Sequence, residues 1–319
     1  MSAVFCCPVC KDSPLLGNDD TFSCSRCDRQ FPIINDRPLL CRIAARSDSS
    51  IDDFSPDLLK AAANVPAKTR RFLGRLRGDG ETFFDYFFNV MFPQFSKKDP
   101  QWRFLAEKVS ELEAMVPPTS KIIDIGAGEC KYSALFSKAD YHATDYVFSS
   151  EKHDFSCIDV VSDAQELPFA SGYFDFALNL VVLEHVPDPW ECVREMSRVL
   201  KPGGSAFALI PLVRPEHLAP FDFSRFTRFG IERMFNRAGM RITSLQPSNG
   251  SLWTSIYYLY SIALMTPLRR YGRRSWRGVI INRLWYVLLW PLVFYGRLTN
   301  RYYDSDFPMY YWVVAKKEG

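Results

Sequence analysis

Lys121-Ile-Ile-Asp-Ile-Gly-Ala-Gly-Glu-Cys-Lys131 is the stretch on which the fold turns. Ile122, Ile123 and Ile125 make a short apolar run of the kind buried in a parallel sheet, and the chain then reaches Gly126 and Gly128, where a backbone without Cβ can turn tightly and approach a ligand. Helical spacing is expected to resume from Lys131 to Lys138. Strand, glycine turn and helix in that order predict a nucleotide-cofactor loop, although a glycine pair after a strand also occurs as a plain turn.

The residues downstream repeat the pattern. His142-Ala-Thr-Asp145 puts a carboxylate at the end of a second strand, about twenty residues beyond the loop, where it can accept ribose hydroxyls. Asp163 and Ala164 fall at the next such turn. Tyr173 to His185 is a near-continuous apolar run suited to a central parallel strand, Pro189 to Leu200 reads as a helix, and Lys201-Pro-Gly-Gly204 precedes a strand from Ser205 to Pro211. Gln101 to Met115, with Phe104, Leu105, Val109 and Leu112 at helical spacing, predicts the helix before the first strand.

DIGAGEC, DAQELPF, FDFALNLVVLEHVPDP and REMSRVLKPGG, in that order, resemble the motifs of class I S-adenosylmethionine-dependent methyltransferases, in the ubiquinone/menaquinone-methyltransferase-like branch. The resemblance covers roughly Lys121 to Ile242. A nicotinamide-dependent dehydrogenase also uses a GxG turn and an acidic residue, but LEHVPDP and KPGG do not belong to that class. The resemblance implies a Rossmann-like α/β fold with a seven-stranded sheet and S-adenosyl-L-methionine as cofactor. Asp124, Gly126 and Gly128 would line its amino-acid end, Asp145 its ribose, and Asp163 with Ala164 its adenine, with Asn179 as a further cofactor contact. Glu129-Cys130 replaces the third small residue that often follows in this family.

Composition agrees with an α/β enzyme. A chain of 319 residues with 47% hydrophobic content can bury such a domain with room for additions, and a formal net charge of +3 is too small to point to nucleic acid. Met1 leads directly into Phe5-Cys-Cys-Pro-Val-Cys10 without a basic region and apolar core, so no signal peptide is expected. Nine cysteines, among them Cys41, Cys130, Cys157 and Cys192 scattered singly, predict a reducing compartment.

Cys7-Pro-Val-Cys10 and Cys24-Ser-Arg-Cys27 form two CxxC knuckles, the donor set of a tetrahedral structural zinc; disulfides or free thiols are the alternative. So short a module lacks the apolar residues to hold itself together without a metal. Cys6 falls outside the spacing. Phe31 to Leu40 resembles the closing hairpin of the small zinc-ribbon proteins that activate methyltransferases. The predicted organisation is therefore a zinc ribbon over 1–45, a linker and aromatic lid region over 46–99, and a methyltransferase core over 100–248. An apolar helical insertion over 249–304 then precedes the last strand over 305–319. Within the lid region Phe83 to Pro93 is strongly aromatic; it either covers the cofactor or packs on the sheet edge.

The insertion holds two apolar stretches, Leu252 to Leu268 and Val279 to Gly296, around Arg269, Arg270, Arg273, Arg274 and Arg277. Each falls short of the ~20 apolar residues of a comfortable span. Thr254, Tyr258 and Ser261 share one face of the first, and Arg283, Tyr286, Trp290 and Arg297 one face of the second. Amphipathic helices lying at an anionic membrane surface fit this pattern, on the inner face of a membrane in the cytoplasm. A helical subdomain packed on its own core or on a homo-oligomer partner, and a transmembrane hairpin, are the alternatives.

His185, at the end of the predicted fourth strand, is a candidate general base because its ordinary pKa is near neutrality; an interior histidine that orients the loop is the alternative. Pro220-Phe-Asp-Phe-Ser-Arg-Phe-Thr227 resembles a His-Pro-x-Asp-Phe-x-Arg-Phe-Thr signature of methyltransferases in surface-polysaccharide pathways, with Ala219 at the histidine position. Asp222 is then a second base candidate, or half of an Asp-Arg pair that holds the loop. Three acceptors are compatible: a glycan or lipid-linked glycan precursor, a lipid or quinone ring, and RNA, of which the low net charge disfavours the last.

Overall fold

The computed structural model describes residues 5–40 except 12, 19 and 35, then 100–146, 155–259 and 306–319, with scattered helical positions between 262 and 295. The linker and lid region over 46–99 lies outside the described residues, except that Pro100 opens the next helix. So does most of the arginine-rich insertion.

Among the described residues, eleven strands form one sheet in the order β1-β2-β3-β4-β7-β6-β5-β8-β9-β11-β10. The central five are β5 (Lys121–Ile125), β6 (Asp140–Asp145), β7 (Val160–Ser162), β8 (Phe174–Leu180) and β9 (Leu200–Pro211). Parallel pairing joins β5 to β6 and β8, β6 to β7, and β8 to β9. Ile122, Ile123 and Ile125 are fully buried, as their position at the sheet centre requires. The strands β10 (Met240–Pro247) and β11 (Tyr310–Lys317) complete the far side, with β11 between β9 and β10. Taken alone, β5 to β11 are seven strands, but the sheet does not stop there as the sequence predicts.

The extra four come from the N-terminus: β1 (Leu15–Gly17), β2 (Thr21–Cys24), β3 (Gln30–Ile34) and β4 (Arg37–Leu40). β1 to β4 pair antiparallel in succession. β4 then lies parallel to β7, with Leu39 opposite Val161 and Leu40 opposite Ser162. Leu39 joins Cys130, Ala143, Phe155, Ile158 and Val161 in one apolar cluster. The Arg37 side chain is buried, and its Nε and Nη2 donate to the carbonyls of Ile158 and Ser156, each at 3.0 Å. Lys11 reaches the fully buried Glu195, Nζ to Oε2 2.8 Å.

Among the described residues, three helices flank these strands. Leu105, Val109 and Leu112 of α1 (Pro100–Met115) are buried at the predicted spacing. α2 (Pro189–Val199) is capped by Asp188, whose side chain accepts from the backbone N–H of Trp190 and Glu191, and α3 (Arg228–Arg237) is capped by Thr227. Two local expectations change. Lys131 to Lys138 holds only a 3-10 turn, Ser133–Phe136, and it follows a residue in the left-handed region, Cys130 (φ 46°). Lys201-Pro-Gly-Gly204 lies inside β9, where a Cβ on Gly204 would sit 2.9 Å from the Lys201 carbonyl oxygen.

Residues 211–215 and 246–311 form a separate compact unit. Its described helix, 251–259, turns its polar side inward: Thr254 is fully buried, and its hydroxyl and Gly250 O both meet Asn249 Nδ2. Trp253 and Ile256 are buried beside it, whereas Leu252, Leu259 and Ile262 are exposed. Among the described residues, no helix is long and apolar enough to cross a membrane.

Candidate active site

The glycine loop closes over the end of β5. Gly126 N and Ala127 N both donate to Thr144 O, at 2.8 and 3.0 Å, which pins the first half of the loop to β6. Gly126 (φ 73°) and Gly128 (φ 54°) occupy the left-handed region, so both positions favour glycine on backbone grounds. Their surroundings differ. A Cβ on Gly126 would lie 2.5 Å from Val182 Cγ2, whereas nothing of the protein stands within 4 Å of a Cβ on Gly128. The free space of the loop is therefore at Gly128, and the turn after β8 closes against Gly126.

Two carboxylates frame the loop. Asp145 Oδ2 accepts from Gly128 N at 2.9 Å, so the residue expected at the ribose also fixes the loop. Asp124 is buried at the end of β5, and its carboxylate accepts from the Tyr141 hydroxyl. Burial pushes its pKa up to about 7, with the Tyr141 hydrogen bond working against the rise and the Asp145 charge adding to it. Beyond β7, Asp163 Oδ1 accepts from Gln165 N at 2.8 Å, folding Asp163 and Ala164 into a turn. Asn179 is fully buried and points toward α2, its Nδ2 3.9 Å from Cys192 Sγ. Its Oδ1 is a buried acceptor with no hydrogen bond among the described residues.

Cys130 and Cys157, which the sequence gives no reason to pair, form a disulfide with Cα atoms 6.2 Å apart. The expectation that they stand singly is corrected here. The register of β5, β6 and β7 brings the end of the glycine loop beside residue 157, 27 positions later, and no local spacing signals this.

At the far end of β8, the chain turns through a 3-10 segment, Leu183–His185. Glu184 O accepts from Phe223 N (2.7 Å) and Ser224 N (3.3 Å), stitching this turn to the loop that follows β9. His185 Nδ1 lies 2.6 Å from the Phe221 carbonyl oxygen, an acceptor, so the proton sits on Nδ1 and the lone pair on Nε2. Burial holds its pKa below the ordinary value, so the ring is neutral near pH 7. Asp222 accepts from Arg225 Nη1 (2.6 Å) and Nη2 (2.8 Å) and from His217 N (2.8 Å). The Arg225 hydrogen bonds hold its pKa well below the usual carboxylate range.

His217 escaped the sequence reading. Its Nδ1 is 3.3 Å from Asp222 Oδ2, and its ring meets that of His185 edge-on, centroids 4.7 Å apart. Ligand atoms of Glu184, His185 and His217 all lie within 4.8 Å of one another. The signal was the signature's absent histidine: it stands two residues before Ala219, and the loop returns it to Asp222.

The cysteine knuckles form a second centre. Sγ atoms of Cys7, Cys10, Cys24 and Cys27 lie within 4.8 Å of one another, with Cys7 and Cys27 3.7 Å apart. The two halves match: Lys11 N donates to Cys7 O and Asp28 N to Cys24 O, with positive φ at Lys11 (49°) and Asp28 (55°). Zinc–thiolate bonds of about 2.3 Å would set sulfurs about 3.8 Å apart, so the donor set fits zinc. Cys6 stays outside, its N–H donating to Pro168 O.

Residues 123–208 match the family model described as a methyltransferase domain. An uncharacterized methyltransferase of Mycobacterium tuberculosis is 30% identical over 151 residues, covering 40% of this chain and 56% of that one. One of Mycobacterium leprae is 33% identical over 118 residues, 33% of this chain and 41% of that one. The chain thus spans about half the length of the curated relatives it matches. Among solved structures, a Haemonchus contortus phosphoethanolamine N-methyltransferase 2 bound to phosphomonomethylethanolamine and S-adenosylhomocysteine aligns with TM-score 0.42 at 15% identity, covering 68% of this chain and 52% of that one. A Haloferax volcanii complex between the Trm112 methyltransferase activator and a methyltransferase aligns at 0.43 and 14%, covering 74% and 94%. The family and sequence matches support a class I S-adenosylmethionine-dependent methyltransferase domain in this chain.

Proposed function

We propose that the whole chain is an S-adenosylmethionine-dependent methyltransferase whose acceptor is a hydroxyl of a glycan or lipid-linked glycan precursor, handled at a membrane surface. The observation that carries the enzymatic part is the glycine loop, open at Gly128, framed by Asp124 and Asp145, and abutting through Gly126 the Val182 to His185 turn. When bound, the cofactor supplies an electrophilic methyl group on a sulfonium. The chain's own residues would align and dehydrate it: the Gly128 backbone would admit the amino-acid end, Asp124 would hold its ammonium, and Asp145 would hold the ribose. His185, neutral and with its Nε2 lone pair turned from Phe221, is the group assigned to activating the acceptor hydroxyl. Asp222, tied to Arg225 and His217, holds the loop instead of taking a proton.

The same reading gives the four-cysteine cluster a structural zinc, because four thiolates close the coordination sphere. Membrane contact draws support from the 246–311 unit, where the described positions Leu252, Leu259, Ile262, Ile280, Leu284 and Val287 are all exposed. Apolar exposure on that scale marks an interaction surface.

Incubating the purified chain with methyl-labelled cofactor and cell extract tests the acceptor: label in the glycan or lipid-linked glycan fraction is expected, and label confined to RNA or protein overturns it. Flotation with anionic vesicles tests the surface. Salt-sensitive flotation of the full chain, lost when 252–297 is replaced by a short linker, is expected; a full chain that ignores vesicles makes the insertion a packed subdomain.

A further inference from the structure

We propose that Glu184, His185 and His217 are the ligands of a divalent first-row transition ion, at the acceptor end of the cofactor loop. The inference rests on the methyltransferase reading and states how the acceptor hydroxyl is activated.

Each histidine is arranged as a metal ligand is. A ligating imidazole almost always donates its second ring N–H to a carbonyl or carboxylate, which fixes the ring and raises the basicity of the other nitrogen. His185 has the Phe221 carbonyl on Nδ1, and His217 has the Asp222 carboxylate. His185 is therefore the tautomer with its lone pair on Nε2. The two partners are themselves fixed: Asp222 by the Arg225 fork, and Phe221, whose N–H donates to Leu218 O, by the turn that carries it.

The third ligand comes from the next residue in the chain. Glu184 Oε1 is 3.8 Å from His185 Nε2, and the carboxylate is fully buried. Ligand bonds of about 2.0–2.2 Å need donor atoms about 3.3–3.5 Å apart, so closing the set asks for shifts of under an ångström or so at each side chain. Two imidazoles and one carboxylate suit zinc or cobalt(II) better than magnesium or calcium, which prefer oxygen. Three protein ligands also leave a position open for substrate, unlike the closed cysteine site.

An acceptor oxygen at that position loses its proton more readily, as any hydroxyl on a divalent ion does. The proton leaves to solvent. The oxygen lone pair forms the new C–O bond to the methyl carbon as the C–S bond breaks, and sulfur keeps that electron pair and becomes a neutral thioether. His185 acts here through the ion instead of accepting the proton itself.

Zinc content of the full-length chain, purified and dialysed against zinc and then buffer, decides the matter. Wild type is expected to hold two zinc ions per chain, His185→Gln and His217→Gln one each, and His217→Cys two again, because a thiolate can replace the imidazole. Cys24→Ser/Cys27→Ser should retain one ion, lost when His217→Gln is added. A wild type that holds one zinc, or histidine variants that keep both, overturns the inference. S-adenosylmethionine binding by the same samples separates the two levels. Wild type that binds cofactor with a single zinc refutes the ion alone, whereas wild type that binds no cofactor refutes the underlying reading.

Discussion

Cofactor affinity should fall as pH drops through neutrality, and Asp124 is the reason. The perturbation is protonation of a buried carboxyl whose pKa stands at about 7. An ionised Asp124 is the form that can pair with the ammonium of a bound amino-acid moiety, so the competent fraction is about 0.9 at pH 8 and about 0.1 at pH 6. Apparent affinity scales with that fraction, which predicts about a tenfold loss between the two. Near pH 7, binding should release about half a proton per cofactor. Isothermal titration in buffers of different ionisation enthalpy reads both quantities. Asp124→Asn should bind more weakly by about 1.5–3 kcal/mol, the worth of a hydrogen bond to a charged group, and its affinity should no longer change with pH. In the cofactor-free protein the sign is reversed from the common carboxylate case: the folded state holds a proton that the unfolded chain has lost, so this residue's contribution to stability diminishes as pH rises from about 4 to about 7. A wild type with flat affinity from pH 6 to 8, or an Asn variant that keeps the slope, refutes the reasoning.

Gly128→Val should reduce cofactor affinity by more than tenfold while strain at φ 54° costs the fold only about 1–2 kcal/mol, whereas Gly126→Val should lower the melting temperature first, because its side chain meets Val182; equal effects on binding and melting at Gly128 would contradict the open space there. Cys24→Ser/Cys27→Ser should lower the zinc content by one ion per chain in elemental analysis and unfold β1 to β3 as read by hydrogen exchange; retained protection in that variant would remove the ion's structural role. Arg37→Ala strands the carbonyls of Ser156 and Ile158 and should cost about 3 kcal/mol in denaturant unfolding, and a loss under about 1 kcal/mol would show that β4 does not depend on this clamp. Glu195→Ala leaves Arg198 and Lys11 without their carboxylate and should cost about 3–5 kcal/mol. Burial raises the Glu195 pKa but Arg198 and Lys11 outweigh it and hold it low, so its contribution is present above the unfolded value of 4.5 and is lost below it; acid unfolding that is unchanged in the variant would deny this.

What the sequence made legible was whatever lies within one supersecondary unit. Ile122 to Gly128 reads as strand and turn because the buried period and the positive φ are both local, and the convergence of Cys7, Cys10, Cys24 and Cys27 is legible because CxxC fixes its own geometry. What it hid was set by the order of strands across the sheet. Nothing in Arg37-Pro-Leu-Leu40 distinguishes a free hairpin edge from a strand beside β7, because a four-residue buried run is the same in either setting. The pairing of Cys130 with Cys157 and the meeting of His217 with His185 are hidden for the same reason: each joins connections that belong to different strands, and separation along the chain carries no trace of it.

The expectation of a seven-stranded sheet failed for a physical cause that bears on function. β7 would be an exposed edge, with unpaired N–H and C=O groups, and β4 covers it. That cover does more than satisfy hydrogen bonds. The Arg37 guanidinium holds the carbonyls on either side of Cys157, Cys157 is bonded to Cys130, and Cys130 ends the glycine loop whose Gly128 N–H is held by Asp145. Leu39 packs into the cluster that contains Cys130. A module that sequence presents as a separate appendage is, in the folded chain, tied through β4, the Arg37 clamp and the Cys130–Cys157 disulfide to the glycine loop itself.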